Sequence, residues 1–363
     1  MNAECIKNDN FKEKNKTFSS ALVFGGQGYE RDVSRLGAVG FLNAANKLKI
    51  DLLPIYIDKD GNFFVYSGGI SQIAEVEKEL PKSQLTPTYP VKIFGKSGFL
   101  LGDDVLPIER AFLLLHGDYG EDGIIQGALK TAGISFFGSE TLEGALLCDK
   151  AYTKIVASYY GVKTLPFLIF KKGFDLIDES ESEAAKRFGY PLFIKPANLG
   201  SSVGASVAKC KQEFIKSIEN GLSVSDKLII EPAIEDKREI ECAYFNLAGR
   251  NIISTPGEVL TGGKFYDYNL KYSKENAVSA IPSALLSKEE KEAVMQYAGV
   301  LADAFSVRHI ARFDFFLTAD SQIYFNEVNT MPGMTASSLY SLMLEKEGIA
   351  FEEFIKLIFK EKW

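Results

Sequence analysis

A parallel-sheet α/β domain followed by two α+β units is the fold class this sequence predicts. Three observations carry it. The chain opens with a β-α-β pattern whose first strand ends in Gly25-Gly26-Gln27-Gly28. A later apolar strand, Ala111 to Leu115, runs into the polar, glycine-bearing loop from His116 to Gly123. Beyond Gly138 the pattern changes to short strands mixed with amphipathic helices. At 363 residues the chain exceeds one ordinary domain of roughly 100–200 residues, which suggests two or three. Hydrophobic residues at 46% and charged residues at 25% are ordinary for a soluble globular protein, so each unit can bury its own core.

Taken in order, Ser20 to Phe24 reads as a strand, a helical pattern starts at Ser34, and Leu52 to Ile57 reads as a second strand. Asp58 to Val105 reads as a variable, surface-built stretch. A helix and a short strand near Phe136 close the first unit, and ligands in such sheets gather at the carboxyl ends of strands. The second unit predicts a helix over Lys150 to Tyr160, a strand over Pro166 to Phe170, a helix over Glu181 to Phe188, and strands over Pro191 to Lys195 and Lys227 to Glu231. Between those last two strands lies the glycine-rich turn Pro196 to Gly204. The third unit opens with long strands, Glu239 to Asn246 and Asn251 to Glu258, and a polar loop over 261–273. A helix announced by the capping box Ser287-Lys288-Glu289-Glu290 follows, its apolar stripe running through Val294, Tyr297, Ala298, Leu301 and Phe305. Two strands and two amphipathic helices finish the chain. The resulting boundaries are a flexible lead-in over 1–19, an α/β domain over 20–138, a small domain over 139–229 and a last domain over 230–363.

Several function classes are set aside early. Cys5, Cys148, Cys210 and Cys242 stand far apart without a C-x-x-C pair, which argues against a zinc site or a disulfide framework and for reduced thiols in a cytoplasm. The polar residues 1–20 lack the apolar centre of a secretory signal, and no run approaches the ~18 apolar residues of a membrane span. A net charge of −7 without a basic cluster argues against nucleic acid.

The chemistry concentrates in Ala311 to Leu317 and Ile323 to Asn329. Period-two alternation puts Arg312 and Asp314 on one face, and Glu327 with Asn329 on one face of the returning strand. A hairpin symmetric about Asp320-Ser321 would set Asp314 opposite Glu327 and Arg312 opposite Asn329. Like charges so placed repel unless neutralised. A hard cation such as Mg²⁺ suits three oxygen-bearing side chains; the plainer alternative is a solvated hairpin in which Arg312 pairs with a carboxylate. Lys150 and Lys195 are read as the two strand-end lysines, and a lysine closing a buried apolar strand calls for an anion partner; the turn after Lys195 can lay backbone N–H groups over phosphates. No Walker-type phosphate loop occurs. Together these residues read as an ATP·Mg site.

At this point the chain resembles the D-alanine–D-alanine ligase family of the ATP-grasp superfamily, over essentially Ala21 to Ile358. The motifs that carry the likeness are Gly25-Gly26 with Glu30-Arg31-Asp32-Val33-Ser34, His116-Gly117 with Gly120-Glu121-Asp122-Gly123, and Ile194-Lys195-Pro196 with Gly200-Ser201-Ser202-Val203-Gly204. They continue in Phe265-Tyr266-Asp267-Tyr268 with Lys271-Tyr272, Arg312-Phe313-Asp314, and Asn326 to Thr335. The resemblance implies a three-domain ATP-grasp fold with an N-terminal parallel-sheet (pre-ATP-grasp) domain. It also implies ATP-driven phosphorylation of one D-alanine's carboxylate followed by attack of a second D-alanine's amine.

Residue roles follow from the resemblance. Glu30 would meet the first ammonium and join a hydrogen-bond chain with Ser201 and Tyr272. Arg312 and the Gly333 N–H would form an oxyanion hole, and Ser338 would hold the second carboxylate. His116 and Tyr266 would contact substrate. Lys150, Lys195 and Lys271 would bind phosphates, the last from a mobile loop over 261–273. Glu231, Ala233, Ile234 and Glu239 would meet adenine or ribose, with backbone groups serving around Ala233, where some relatives carry a bulkier side chain. Asp314, Glu327 and Asn329 would hold Mg²⁺, two ions with Mn²⁺ able to substitute. A homodimer is expected from the family alone, with no nucleic acid or membrane as partner. Tyr272 favours dipeptide formation over D-alanyl-D-lactate. Two alternatives stay open: another ATP-grasp carboxylate–amine ligase, for example of the D-alanine–D-lactate or D-alanine–D-serine type, and an inactive nucleotide-binding regulator. His309 reads as structural.

Overall fold

The computed structural model describes residues 18–260, 279–281 and 285–361. The first sheet is built around β1 (Ser20–Gly25), which pairs in parallel with β2 (Leu52–Ile57) on one side and β8 (Arg110–Leu114) on the other. Strand β9 (Ser135–Phe137) extends the parallel set beyond β8. β1 and β8 read as near-continuous apolar runs because both faces of such strands are covered. Helix α1 (Arg31–Lys47) starts three residues before the predicted Ser34, since Arg31, Asp32 and Val33 continue its spiral without adding to the apolar stripe.

The stretch 58–105 is no surface elaboration, and here the expectation is corrected. β3 (Phe63–Tyr66) and β4 (Leu85–Thr88) add two antiparallel strands to the edge of the first sheet, with the four-residue α2 (Ile70–Ile73) between them. β5 (Pro90–Ile93), β6 (Lys96–Leu101) and β7 (Asp104–Pro107) form a separate three-stranded sheet. Val65, Tyr66, Ile73, Leu80 and Phe99 are buried. Short runs broken by Gly, Pro and Asp hide such strands from a periodicity reading.

Helices α3 (Ile124–Thr131), α4 (Thr141–Leu147) and α5 (Lys150–Tyr159) lead to the small sheet, ordered β10 (Leu168–Lys171), β13 (Lys227–Pro232), β11 (Leu192–Pro196), β12 (Ser206–Ala208) and antiparallel throughout. Its inner face packs Ile194, Leu228 and Ile230 on Phe214 and Ile218 of α7 (Lys211–Leu222) and Ala184 of α6 (Ile177–Phe188). The last sheet runs β17 (Ser279–Ile281), β16 (Gly257–Leu260), β14 (Lys237–Leu247), β18 (Ile310–Thr318), β19 (Ile323–Asn329), with β15 (Arg250–Ile253) also on β14. The single strand expected over Asn251 to Glu258 is therefore two, divided at Pro256, which has no N–H for a ladder.

Helix α8 (Lys288–Ala304) begins at the expected capping box: Ser287 Oγ accepts from the Glu290 N–H at 3.1 Å, and Glu290 Oε2 accepts from the Ser287 N–H at 2.9 Å. Helices α9 (Leu339–Lys346) and α10 (Phe351–Lys360) close the chain. α10 returns to the first sheet, where Phe354 lies 6.4 Å from Phe112, 6.2 Å from Phe137 and 5.8 Å from Phe245. One apolar cluster thereby joins the first and last sheets. His309 is 4% exposed and stacks on Phe137 at 4.4 Å, in keeping with a structural part.

Candidate active site

The site lies where the small sheet faces the last sheet, and β18–β19 supply its floor. Asp314 pairs with Glu327 and Arg312 with Asn329, as the sequence predicts, but by a different route. The turn joins Thr318 to Gln322, so pairing next to it runs Leu317 to Ile323 and Phe315 to Phe325; a β-bulge after Phe315 then shifts the register by one. Asn326 is the extra residue. Its Oδ1 accepts from Lys195 Nζ at 2.8 Å, while Phe325 beside it is fully buried in the core. A bulge re-aims side chains in this manner.

Two carboxylates on one face need neutralising, and each has a cation. Arg312 grips Asp314 with two hydrogen bonds, from Nε and Nη2, both 2.7 Å, and lies 3.2 Å from Glu241 Oε2. Glu327 Oε2 lies 3.1 Å from Lys150 Nζ, which also donates to the Leu199 carbonyl at 2.7 Å. Asn329 Nδ2 donates to Asp314 Oδ2 at 2.9 Å. The Arg312–carboxylate pair of the plainer alternative is thus present, but not on a solvated hairpin: the Arg312 and Asp314 side chains are 16% and 15% exposed. Among the described residues no group of three or more His, Cys, Asp or Glu side chains has metal-holding geometry. The donor set Asp314, Glu327 and Asn329 is nonetheless all hard oxygen and directly cross-strand, which fits Mg²⁺ sharing phosphate oxygens.

Above this floor sits the turn 196–205. Ser201 and Ser202 take left-handed φ of 50° and 57°, and Gly204 takes 70°. This coiling directs the turn back over the cleft. The charged end of the cleft is lined by Lys150, Lys195, Ser202, Glu239, Arg312 and Glu327 among others. It runs into a cavity of ≈ 440 Å³ lined by Phe193, Val207, Pro232, Ala233, Ile234 and Phe316, with Lys237 and Glu239 common to both. A polyanion at one end and a flat apolar ring at the other suit a nucleotide.

Glu231 and Ala233 line this cavity and are also engaged within the chain. Glu231 is 1% exposed, and its two oxygens lie 2.6 Å from Lys154 Nζ and 3.1 Å from Lys195 Nζ. The Ala233 N–H is bonded to the Pro191 carbonyl at 3.0 Å, and Ala233 and Ile234 both line the cavity.

Glu30 sits at the other side of the floor, at the start of α1. Ser201 Oγ donates to Glu30 Oε1 at 2.5 Å, joining the first unit to the turn. The carboxylate lies between two glycines: a Cβ on Gly200 would stand 3.0 Å from Glu30 Oε2, and one on Gly117 3.2 Å. Only glycine lets both backbones approach so closely. Glu121 fastens the same loop to the turn after β19, accepting from Thr330 Oγ1 and the Met331 N–H at 2.8 Å and from the Gly117 N–H at 3.0 Å. His116 Nδ1 meets the Met331 carbonyl at 2.9 Å; its Nε2 is buried with no hydrogen-bond partner among the described residues. Gly333 and Ser338 adjoin each other on that turn, where Ser338 Oγ bonds the Thr335 N–H and Oγ1 at 3.1 and 2.8 Å. Tyr266, Lys271 and Tyr272, with the loop 261–273, lie outside the described residues.

Sequence reasoning missed Lys154, Lys237, Glu241 and Asn326. Alternation along β14 was the available signal: Lys237, Glu239 and Glu241 share the face opposite buried Ile240 and Cys242. Lys237 lies over the Phe316 ring at 3.6 Å, and its burial presses its pKa below the ordinary lysine value.

The motifs are matched by known families. Residues 19–139 match the model described as D-ala D-ala ligase N-terminus, and residues 156–360 that described as D-ala D-ala ligase C-terminus. A D-alanine–D-alanine ligase of Clostridium novyi is 35% identical over 345 residues, covering 93% of this chain and 96% of that protein. Among solved structures, the VanG D-Ala:D-Ser ligase from Enterococcus faecalis superposes with a TM-score of 0.83 at 29% identity, over 95% of this chain and 99% of the other. The D-alanyl-alanine synthetase A from Vibrio cholerae O1 gives 0.81 at 28%, over 95% and 98%.

Proposed function

This chain belongs to the D-alanine–D-alanine ligase family, and from that premise we propose that it joins two D-alanines into D-alanyl-D-alanine, with ATP hydrolysed to ADP, as a peptidoglycan precursor. The observation that carries the reading is the single cleft in which Lys150, Lys195, Asp314 and Glu327 stand at one end and an apolar cavity at the other, with Glu30 alongside.

Lys150 and Lys195 hold the polyphosphate, with backbone N–H groups of the turn 200–204 above it. The apolar cavity between Phe193 and Phe316 takes the adenine, where backbone groups of Ala233 and Ile234 supply its polar partners. Asp314, Glu327 and Asn329 hold Mg²⁺, which when bound neutralises the phosphate oxygens and orients the terminal phosphoryl group. Arg312 releases Asp314 and keeps Glu241, leaving N–H donors for the developing oxyanion together with the Gly333 N–H; one such donor is worth about 2.7–4 kcal/mol. Glu30, held by Ser201, receives the ammonium of the first D-alanine. Ser338 receives the carboxylate of the second. Among the described residues no helix is long and apolar enough to cross a membrane, and Cys148, Cys210 and Cys242 are free thiols, in keeping with a cytoplasmic enzyme. The working unit implied by the family is a homodimer, which analytical ultracentrifugation reads directly.

The test is phosphate release with purified protein. It should require ATP·Mg and D-alanine together; release with another amino acid alone, or ATP binding without turnover, would overturn the reading. Because one solved relative is a D-Ala:D-Ser ligase, D-alanine, D-serine and D-lactate are supplied together, and D-alanyl-D-alanine is the expected main product.

A further inference from the structure

Lys154 lies one turn beyond Lys150 on α5 and has no solvent exposure. Its ammonium is 2.6 Å from Glu231 Oε1 and 3.5 Å from the Phe325 carbonyl. The second oxygen of Glu231 is 3.1 Å from Lys195, whose ammonium also reaches Asn326. One buried carboxylate is therefore shared by two ammoniums. Lys195 and Glu231 line the cleft and its apolar extension; Lys154 stands behind them.

Burial opposes a charged Lys154 and presses its pKa down against the pull of Glu231, whereas for Glu231 the two ammoniums outweigh burial and hold the carboxylate below its ordinary range. Placing a lysine in this position is unfavourable on its own account. A Lys195–Glu231 pair would already be electrically neutral without it, and an extra buried charge is tolerated only when compensated. What Lys154 changes is the sum. Two ammoniums and one carboxylate leave one net positive charge, and the only ammonium of the two that faces the cleft is that of Lys195.

We propose that Lys154 is a positioning residue for the nucleotide: by sharing Glu231 it leaves the charge of Lys195 only partly neutralised, and fixed in place, for the polyphosphate. This rests on the reading of the cleft as an ATP site. It separates binding of phosphates from binding of the base, because a neutral nucleoside does not sense the charge.

Equilibrium binding of ADP and of adenosine at fixed Mg²⁺ tests it on three proteins: the unaltered chain, Lys154→Met, and the double variant Lys154→Met/Glu231→Gln. In Lys154→Met the Glu231 charge falls on Lys195 alone. ADP affinity should drop about tenfold or more, the effect of one charged hydrogen bond, with adenosine affinity unmoved. The double variant removes both charges, so Lys195 recovers its own and the preference for ADP over adenosine returns. Removing both partners of a buried pair is far less disruptive than removing one, so the double variant decides the matter if Lys154→Met does not fold. An undiminished ADP preference in Lys154→Met, an equal loss of both ligands, or a collapsed preference in the double variant overturns the proposal. If the unaltered chain binds neither ligand, the ATP reading itself falls and this inference with it.

Discussion

Replacing Ser201 with alanine removes one hydroxyl and nothing else, at the point where the glycine-rich turn meets the first unit. That hydroxyl donates to Glu30 Oε1 at 2.5 Å, and Ser201 is 6% exposed, so water has little room to take its place. A hydrogen bond to a charged acceptor contributes about 1.5–3 kcal/mol, which is about tenfold to 150-fold in an equilibrium or a rate. Glu30 also packs against the Gly117 and Gly200 backbones, close enough to keep the carboxylate near its place. The loss should therefore fall toward the lower half of that range. It should also be selective: Glu30 stands at the amino-acid side of the floor, and the phosphate groups are served by Lys150, Lys195 and backbone N–H groups of the turn, all of which the substitution leaves in place. Initial rates of phosphate release with D-alanine varied at saturating ATP·Mg, then with ATP varied at saturating D-alanine, separate the two. The expected result is a fall of about tenfold to fiftyfold in kcat/KM for D-alanine and an unmoved KM for ATP. Unchanged D-alanine kinetics, or an equal rise in the ATP KM, would refute the assignment of Glu30 and Ser201.

Other perturbations test separate steps. Asp314→Ala and Glu327→Ala should each abolish phosphate release while far-UV circular dichroism stays that of the unaltered chain, since Arg312 retains Glu241 at 3.2 Å and Lys150 retains the Leu199 carbonyl; retained turnover would remove the metal from this hairpin. Ser287→Ala, which removes the hydroxyl that caps α8, should lower stability to chemical unfolding by about 0.5–2 kcal/mol with ATP and D-alanine kinetics untouched. The pH dependence of stability should show two opposed neighbours. Burial, ahead of Arg308, lowers His309 from 6.5 to about 4, so the unfolded chain holds the extra proton and stability rises from about pH 4 to 6.5. Burial raises Glu143 from 4.5 to about 7, so the folded chain holds the extra proton and stability falls from about pH 4.5 to 7. Each slope is of order 1.4 kcal/mol per pH unit, and over their common window they cancel. Denaturant titrations of Glu143→Gln should uncover the rising slope, and a flat profile in that variant would contradict the His309 shift.

The parallel core of the first sheet was legible because β1, β2 and β8 are unbroken apolar runs closed by glycine or polar loops. The edge strands β3 and β4 and the separate sheet β5 to β7 were not, being short, broken by Pro87 and Gly98, and half exposed along much of their length. The same contrast divides the site. Asp314 and Glu327 are conspicuous because acidic residues interrupt apolar strands. Lys154 sits in a helix where a lysine normally marks the solvent side, and its burial depends on β13 and β19, both distant in sequence.

The hairpin shows how far a correct pairing can rest on incomplete grounds. Symmetry about Asp320-Ser321 gives Asp314 opposite Glu327, yet the turn centres one half-step earlier, and without correction Asp314 would meet Asn326. Simple alternation would then put Asn326 and Val328 on the cleft face and turn Glu327 and Asn329 to the core. The bulge prevents this by leaving Asn326 unpaired beside Glu327, so Phe325 and Val328 stay in the core while Asn326, Glu327 and Asn329 all reach the polar face. The extra residue thus supplies the amide that steadies Lys195, and the bulge that accommodates it keeps Glu327 as the acid that faces Asp314. Deleting Asn326 would leave Glu327 directly after Phe325 and still opposite Asp314 in a regular ladder, but would strip Lys195 of a partner, which is how this position joins the metal end of the cleft to its phosphate end.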